Sequence, residues 1–441
     1  MFFKFSKYNI YFEYKNSYYL FNTIHCGFAK INKNNKKLIN KYKTDKFKKS
    51  NLPKNFFQKM YEKQFIVGAE SNEKDILKSK FVVNNYQKNM MAILITITFD
   101  CNFNCIYCYE NNKKIKMDEK TINKMLKFIT QKAKKYNKLI FTWFGGEPLL
   151  ETEKMKKITN KIVNLCNKNN CSYKFKIVTN GYLINKILDN VEKLKLSYFQ
   201  ITLDGPKDIH NKKRSLKNGE GSYERIMSNI RKLNKLKTDI PIDINIRINI
   251  DKENYIYIKK LIDEIEDFKN QENNLYLTVP PVSPNSIEDL NKCFTTKKYA
   301  EQVELDIYKY AQKKELSTYL SDFNLVPFPR TYADCSALQN NSIIIGPKGN
   351  VYKCYKQLMT EEGVVGKLNR KGNIVYNYEN LSFWSNYDPF KDKKCKDCKY
   401  LPLCYGNCLY NRRISNNKVG CKTLKYNLKE KLKMYLNQKL H

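Results

Sequence analysis

Hydrophobic and polar positions alternate with two different periods through the middle of the chain. Apolar residues recur at i, i+3, i+4 and i+7 in several segments, such as Ile122, Met125, Leu126 and Ile129, and this spacing predicts helices with one buried face. Short apolar runs between these segments predict strands at residues 93–99, 139–144, 175–179, 198–203, 242–250 and 275–279. The alternation predicts an α/β fold with a parallel sheet, as a doubly wound sheet or a partial barrel, with ligands at the carboxyl ends of the strands.

The two ends of the chain follow other patterns. The first 90 residues predict a small α+β domain of winged-helix type, with a hairpin at 10–14 and 18–22, helices at 36–42 and 56–63, and a strand at 65–67. Polar residues 70–75 predict the start of a linker. The predicted domains are residues 1–90, an α/β core at 91–300, a helical bridge at 301–330, a cysteine-rich region at 331–425 and a C-terminal amphipathic helix at 426–441.

Charge and cysteine content limit the classes of function. The formal net charge is +38, but the lysines are spread along the whole chain, which favours solvated lysine faces over a nucleic-acid site. Some of these lysines can attract an acidic peptide. The sequence predicts no signal peptide, no membrane span and a cytoplasmic location. In that compartment, 14 cysteines indicate metal or cluster binding rather than disulfides.

Three cysteines follow the first strand of the core, in the pattern Cys101-x₃-Cys105-x₂-Cys108. Three thiolates can hold three irons of a cubane 4Fe–4S cluster and leave the fourth iron open to a substrate or cofactor. The spacing differs from the ferredoxin patterns and lacks the paired CxxC units of a zinc ribbon. The triplet therefore predicts a cluster that takes part in chemistry, at the functional end of the sheet.

The triplet, with Tyr107 before its last cysteine, resembles the signature of the radical S-adenosylmethionine (SAM) enzymes. Further motifs agree with this resemblance and follow the second, third and fourth strands: Gly145-Gly146-Glu147-Pro148, Thr179-Asn180-Gly181, and Thr202-Leu203-Asp204-Gly205-Pro206 with His210 and Arg214 just beyond. The resemblance covers roughly residues 90–300. It implies that the core is a partial (β/α)₆ barrel of the TIM type.

The resemblance also implies a cofactor and a reaction. The methionine part of SAM would chelate the open iron, and one electron from the cluster would cleave SAM to a 5′-deoxyadenosyl radical that abstracts hydrogen from an unreactive C–H bond. The glycine pair would let the backbone approach the methionine closely, Glu147 would accept a hydrogen bond from its ammonium, and Arg214 would pair with its carboxylate. The implied SAM-binding residues are Tyr107, Gly145, Gly146, Glu147, Asn180, Thr202, Asp204 and Arg214.

The seven cysteines after residue 331 resemble the SPASM domain, which carries two auxiliary 4Fe–4S clusters. Carried over, one cluster would take Cys395, Cys398, Cys404 and Cys421, and the other would take Cys335, Cys354 and Cys408. Some relatives supply a fourth ligand just before the first of these cysteines, but residues 326–334 contain no cysteine. The second cluster would then have an open iron, unless a distant residue such as Cys293 reaches it. Zinc is the alternative metal for residues 395–408, since CxxC also occurs in zinc sites.

Two branches of SPASM-containing enzymes compete. In anaerobic sulfatase maturases, which make formylglycine, an Asp serves as base directly after the Cys of the Gly-x₄-Cys motif, but here Tyr355 follows Cys354. That branch also begins close to its triplet, whereas this chain has about 100 residues first. The second branch matures ribosomally made peptides, often by linking a Cys sulfur to a carbon, and frequently carries a small N-terminal domain that binds the leader of a precursor peptide.

The sequence therefore favours a peptide maturase that forms thioether crosslinks. Its expected partners are a precursor peptide, with the leader bound by residues 1–90, and an electron donor such as flavodoxin or ferredoxin. Formylglycine formation, epimerisation and carbon–carbon crosslinking are the alternative reactions. A non-catalytic iron–sulfur or zinc protein that keeps the fold is the alternative outside enzymes. Cys26, Cys166 and Cys171 match no motif, and we expect no catalytic role for them.

Overall fold

The computed structural model describes residues 1–86, 89–109, 113–269, 271–285, 291–316, 335–414 and 420–439. The strands are β1 Phe2–Phe5, β2 Asn9–Tyr14, β3 Ser17–Asn22, β4 Phe28–Ile31, β5 Phe47–Lys48, β6 Ile66–Gly68, β7 Met90–Thr98, β8 Lys138–Gly145, β9 Ser172–Thr179, β10 Leu196–Thr202, β11 Asp243–Arg247, β12 Asn274–Thr278, β13 Ser342–Ile345, β14 Asn350–Tyr352, β15 Val364–Leu368 and β16 Ile374–Tyr376.

The α-helices are α1 Lys33–Tyr42, α2 Lys54–Glu62, α3 Glu73–Tyr86, α4 Glu119–Ala133, α5 Thr152–Lys168, α6 Lys207–Lys213, α7 Tyr223–Asn234, α8 Ile258–Glu264, α9 Thr296–Lys298, α10 Leu305–Lys313, α11 Tyr378–Ser385, α12 Leu401–Cys404, α13 Leu409–Ile414 and α14 Leu424–Lys439. A π-helical turn, Tyr299–Glu304, joins α9 to α10. No helix in these described ranges combines the length and the apolar character that crossing a bilayer requires.

The core is a mixed ten-stranded sheet whose order is β12-β11-β10-β9-β8-β7-β13-β14-β15-β16. Strands β7 to β12 are parallel, and each lies beside the strand that precedes it in the chain. All six predicted core strands are confirmed. A doubly wound sheet reverses its strand order at a switch point, and β7 to β12 show no such reversal, so of the two alternatives the partial-barrel order is the one observed.

Large apolar side chains explain the stability of this sheet. Phe141, Trp143, Phe175 and Phe199 are fully buried on adjacent strands, and the rings of Phe141 and Phe175 stack with centroids 5.0 Å apart. Helices α4 and α5 cover the sheet with their predicted apolar faces. Burial of one such side chain contributes about 1.5–3 kcal/mol, so the sheet gives a rigid base for the loops at its carboxyl end.

The cysteine-rich region continues the core sheet instead of forming a separate layer. Strand β13 pairs in parallel with β7, with Ile343 opposite Ile93, and then turns through residues 346–349 into β14. The sequence predicted a strand and a turn at residues 341–350 but not this pairing. The pairing carries the segment that begins at Cys354 to the loops that follow β7 and β8.

The N-terminal region contains two three-stranded sheets, β5-β1-β6 and β2-β3-β4. One face of the second sheet packs against helices α1 and α2, and the other packs against the C-terminal helix α14. The predicted hairpin, helices and strand are observed to within about three residues at each end. The contact with α14 was not predicted, because sequence periodicity shows that a helix has an apolar face but not what covers it.

The linker predicted at residues 70–75 is wrong, because α3 begins at Glu73. The helix was missed because Ile76, Val82 and Val83 are exposed, so its apolar residues do not form one buried face. Its inward residues, Leu77 and Phe81, pack against the cysteine-rich region. The predicted helical bridge is helical as far as α10, and residues 317–330 of it lie outside the described residues.

Candidate active site

The predicted SAM-binding cysteines lie in the loop after β7. Cys101 and Cys105 are half-buried and Cys108 is exposed. The loop is held by backbone hydrogen bonds from Asn104 N–H to the Ser215 carbonyl and from Ile106 N–H to the Lys213 carbonyl. The structure thus presents the thiols at the carboxyl end of the sheet, where the sequence predicted them.

The glycine pair after β8 lies against this loop. A Cβ atom on Gly145 would be 2.3 Å from the Thr98 carbonyl oxygen, and one on Gly146 would be 2.3 Å from that of Asp100. Gly145 also has a φ of +150°, which favours glycine. The sequence assigned these glycines to a close approach to methionine. The close approach that the structure shows is between two loops, and it fixes Glu147 next to the thiols.

Glu147 is fully buried, and its side chain joins two segments of the site. Its Oε1 accepts hydrogen bonds from Thr179 Oγ1 at 2.7 Å and from Leu149 N–H at 3.0 Å, and its Oε2 accepts one from Asn180 N–H at 2.8 Å. Burial raises the pKa of Glu147 to about 7, although these hydrogen bonds act in the opposite direction and lower it. A carboxylate has about four acceptor positions, so Glu147 retains capacity for one further donor.

Asn180 connects the loop after β9 to the loop after β7, which carries the cysteine triplet. Its Nδ2 donates to Asn102 Oδ1 at 2.9 Å and lies 3.8 Å from Cys101 Sγ, and its Oδ1 accepts from Tyr182 N–H at 3.0 Å. Every polar atom of this side chain is therefore engaged by the protein, which orients the amide towards the Cys101 thiol.

Tyr107, Asp204 and Arg214 form one buried network. Arg214 Nη1 donates to the Tyr107 hydroxyl at 2.6 Å, the same hydroxyl donates to Asp204 Oδ2, and Arg214 lies 3.8 Å from that carboxylate. Asn249 N–H donates to Asp204 Oδ1 at 2.9 Å. The sequence identified three of these residues separately, whereas Asn249, which follows β11, was missed because it belongs to no motif.

His210 supports this network in a defined tautomer. Ser222 Oγ donates to the Arg214 carbonyl at 2.8 Å, so it must accept from His210 Nε2–H, and His210 Nδ1 accepts from Asp204 N–H. Burial lowers the pKa of His210, which agrees with a neutral ring. Thr202, the last predicted contact on this side, ends β10 opposite Arg247 and is buried.

The chemistry of this region fits a bound iron–sulfur cluster and SAM. Burial raises the pKa of the Cys101 and Cys105 thiols, and the Arg214 charge opposes this at both. Iron binding would deprotonate them outright. Two buried donors beside the thiols, Arg214 Nε and Asn102 Nδ2, have no hydrogen-bond partner among the described residues. A ligand with acceptor atoms would satisfy them.

Four of the predicted auxiliary-cluster cysteines line one small cavity of about 40 Å³, and they are Cys395, Cys398, Cys404 and Cys421. Arg412 also lines it, with Nη1 3.5 Å from Cys395 Sγ and Nη2 bonded to Asp392 Oδ2 at 2.5 Å. The sequence missed Arg412. A weak indication in the sequence was the pair Arg412-Arg413, which lies between the last two cysteines of a chain whose basic residues are mostly lysines.

The backbone divides the cysteine-rich region into two sites. Residues 405–407, between Cys404 and Cys408, all have left-handed φ angles. Cys404 lines the cavity, whereas Cys408 lies close enough to Cys335 and Cys354 to raise the pKa of both, after the larger effect of burial. Cys404 and Cys408 thus lie near different groups of cysteines, and the assignment of each group to one cluster stays a prediction.

Tyr355 and Lys356 connect the second set to the mouth of the barrel. The Tyr355 ring lies 5.9 Å from that of Tyr109 and 6.2 Å from that of Phe144, centroid to centroid. Burial lowers the pKa of Lys356, and the nearby thiols of Cys354, Cys408 and Cys293 oppose this. Cys293 is thus close to this site, while residues 326–334, where some relatives have a fourth ligand, lie outside the described residues.

Among the described residues, no group of three or more His, Cys, Asp or Glu side chains is placed to hold one metal ion.

Residues 95–265 match the family model described as the Radical SAM superfamily. This region is a radical SAM domain. It includes the cysteine triplet and every predicted SAM contact on β8 to β10 and the loops after them. The domain explains why the buried carboxylate, amide and arginine converge on the loop after β7.

Relatives of similar length are known. The chain is 26 % identical over 365 residues to a cysteine-type anaerobic sulfatase-maturating enzyme of Clostridium novyi, covering 77 % of this chain and 94 % of that protein. It is 24 % identical over 433 residues to the radical SAM cyclopropyl synthase TigE of Paramaledivibacter caminithermalis, covering 89 % and 86 %. Both of these relatives are named as enzymes, and the second is named as a radical SAM enzyme.

Solved structures show the same fold. Native anSMEcpe with bound AdoMet and a Cp18Cys peptide superposes with a TM-score of 0.58 at 19 % identity, over 79 % of this chain and 99 % of that one. Streptococcus suis SuiB bound to its precursor peptide SuiA superposes with a TM-score of 0.50 at 15 % identity, over 92 % and 95 %.

Replacing Glu147 with glutamine is expected to weaken SAM binding about tenfold. The amide oxygen can still accept from Thr179 and Leu149, but the NH₂ group provides no acceptor for the methionine ammonium, and an unsatisfied buried donor costs about 1–3 kcal/mol. Isothermal titration of SAM into anaerobically reconstituted protein measures the effect. Glu153→Gln, a change at an exposed ion pair with Lys156, is the control, and equal affinity in the two variants would contradict the assignment of Glu147.

Proposed function

We propose that this protein is a radical SAM peptide maturase that forms a bond between a Cys sulfur and a carbon of a ribosomally made peptide. The observation that carries the proposal is the presence of three groups of cysteine thiols in regions that share one sheet. One group lies at the barrel mouth, and two lie in the cysteine-rich region, whose strand β13 pairs with β7 of the core. One SAM-binding cluster and two auxiliary clusters would supply electron transfer, and SAM would supply the hydrogen-abstracting species.

The residues of the chain would bind and orient these groups. Cys101, Cys105 and Cys108 would hold the SAM-binding cluster. Glu147 has acceptor capacity for the methionine ammonium. Arg214 Nε has no hydrogen-bond partner among the described residues, and it would donate a hydrogen bond to the methionine carboxylate. Tyr107 and Asp204 hold the Arg214 guanidinium in place through the hydrogen bonds of their network.

The auxiliary sites support a peptide substrate with a thiol. Cys335, Cys354 and Cys408 would hold the cluster nearer the barrel mouth, and a fourth position on that cluster would be open to a substrate sulfur. Tyr355 and Lys356 lie between this site and the loops that follow β7 and β8. Solved relatives bind peptides, as their names state for the Cp18Cys peptide and SuiA, and we extend that partner class to this chain.

The N-terminal region would bind the leader of the precursor. It would do so by adding an extended leader segment to an exposed strand edge; β2 and β4 are the outer strands of their sheet. The match to the sulfatase-maturating enzyme leaves about a quarter of this chain unmatched, which agrees with an additional role for part of the chain. An electron donor such as flavodoxin or ferredoxin would complete the system.

Formylglycine formation is the second candidate, because the sulfatase-maturating relative covers 77 % of the chain. Tyr355 stands against it. Its ring packs beside Phe144 and Tyr109, and a phenol is a far weaker acid than the aspartate expected there, so it does not provide the carboxylate base of that reaction.

One experiment separates these candidates. Anaerobically reconstituted protein is treated with dithionite, SAM and either a Cys-containing precursor peptide or a Cys-type sulfatase peptide. We expect 5′-deoxyadenosine and a peptide that has lost two hydrogens and can no longer be alkylated at Cys. A product that reacts with hydrazines would indicate formylglycine, and absence of 5′-deoxyadenosine with either peptide would reject the catalytic proposal.

A further inference from the structure

A polar groove of about 640 Å³ lies in the N-terminal region, and Lys399 of the cysteine-rich region completes its lining. Three lysines from separate parts of the chain line it: Lys7 follows β1, Lys43 follows α1, and Lys399 follows Cys398. A hydrogen bond of 2.6 Å from Thr23 Oγ1 to the Lys399 carbonyl holds the two walls together. The groove is therefore a built feature of the domain contact.

The three lysines are exposed and available for a ligand. None of them forms an ion pair with a carboxylate within the part of the chain that the structure describes. The Lys43 ammonium lies 4.5 Å from the centre of the Tyr11 ring, which also lines the groove, and the Lys7 ammonium lies 5.1 Å from that of Tyr8. Tyr8 is buried, whereas Tyr11 is half-buried and lines the groove, so the Tyr11 ring beside the Lys43 charge suits a ligand with both acidic and apolar groups.

The carboxylates of the groove are already occupied. Glu73 is buried and accepts hydrogen bonds from Ser6 Oγ and from Lys7 N–H, the latter at 3.1 Å. Glu70 pairs with Lys46 at 2.7 Å. A fourth lining lysine, Lys4, donates to the carbonyls of residues 69 and 71. The groove thus offers an excess of positive charge that the protein itself does not neutralise.

We propose that this groove binds an acidic segment of the peptide substrate. An extended peptide with alternating acidic and apolar residues would place carboxylates against Lys7, Lys43 and Lys399 and apolar side chains against the Tyr11 ring. This inference rests on the proposed function, because the peptide substrate provides the occupant. The inference adds how the leader would be recognised, namely by charge complementarity with lysines of the N-terminal region and of the cysteine-rich region.

A binding experiment on the full chain tests the groove. The probe is a short fluorescein-labelled peptide of alternating Glu and Leu, measured by fluorescence anisotropy, and affinity should fall with added salt. The variant Lys7→Glu/Lys43→Glu should bind about tenfold more weakly than the native protein. Lys399→Glu should weaken binding in the same direction from the other wall.

The control carries the same change of charge elsewhere. Lys232 on α7 and Lys235, which caps the carboxyl end of that helix, are both exposed, and Lys232→Glu/Lys235→Glu should bind the probe as the native protein does. Equal loss in both double variants, or no binding by the native protein, would overturn the proposal. So would a single-stranded oligonucleotide that binds as tightly as the peptide and loses affinity in the same variants, because the groove would then be a general polyanion site.

The readouts separate this inference from the proposed function. Binding of the labelled peptide needs no cluster chemistry, whereas 5′-deoxyadenosine formation needs no bound leader. If the native protein cleaves SAM but ignores the probe, the groove assignment fails alone; if it binds the probe through these lysines but makes no 5′-deoxyadenosine, the catalytic proposal fails alone.

Discussion

Replacing Cys101 with alanine is expected to abolish reductive cleavage of SAM, while replacing Cys398 is expected to leave most of it and to reduce peptide product to background. Cys101 lies at the barrel mouth beside Asn180 and near Glu147. Cys398 lines a cavity whose lining residues all fall within residues 394–425. The two thiols serve different sites, so their loss should affect different steps.

The measurement is 5′-deoxyadenosine and modified peptide from anaerobically reconstituted variants, quantified by mass spectrometry. Iron content and thermal unfolding of each variant show whether it is folded and which cluster is missing. Cys166→Ala is a suitable control, because Cys166 is fully buried in the core and away from the cluster motifs. Equal loss of cleavage in correctly folded Cys101→Ala and Cys398→Ala would contradict the division between a SAM site and auxiliary sites.

The sequence predicted the parts of the fold that depend on local periodicity. All six core strands and the N-terminal hairpin were found because each has a regular apolar pattern. The pairing of β13 with β7, and the packing of α14 on the N-terminal sheet, depend on contacts between residues far apart in the chain. A single sequence contains no periodic signal for such contacts, so neither could be predicted.

The candidate site was likewise predicted only where a local sequence motif marks it. Motifs revealed Cys101, Glu147, Asn180 and Arg214, since each occurs at a fixed distance after a strand. Motifs did not reveal Asn249 or Arg412, which reach the sites through the fold. The contact of the glycine pair with the backbone of Thr98 and Asp100 was not predicted either, because sequence alone does not show which backbone a glycine must approach.

The packing of α14 changes how the N-terminal region should be tested. Deleting residues 1–85 would uncover an apolar face formed by four leucines, Leu424, Leu428, Leu432 and Leu436. Burial of each leucine is worth about 1.5–3 kcal/mol, so the truncated chain would be destabilised whatever its role in binding. Charge reversal at exposed lysines removes the proposed contacts without uncovering this face.

Replacing Gly146 with alanine is expected to displace the SAM-binding loops and to destabilise the protein by about 1–3 kcal/mol. The new Cβ would lie 2.3 Å from the Asp100 carbonyl oxygen and 2.9 Å from that of Phe99. Both atoms belong to the backbone that precedes Cys101, so the clash cannot be relieved by rotation of a side chain. Relief requires the Glu147 loop to separate from the cysteine loop, with loss of the 2.8 Å hydrogen bond from Glu147 N–H to Asp100.

Gly27→Ala is the matched control, because a Cβ there would meet its nearest atoms at 3.4 Å, an ordinary contact. We expect the Gly146 variant to unfold at a lower temperature and to bind SAM more weakly, while the Gly27 variant changes in neither respect. The comparison requires thermal unfolding of the metal-free proteins and SAM titration of the reconstituted ones. If the Gly146 variant retained native stability and affinity, the two loops would not be held in contact by this glycine, and the fixed position of Glu147 beside the thiols would need another cause.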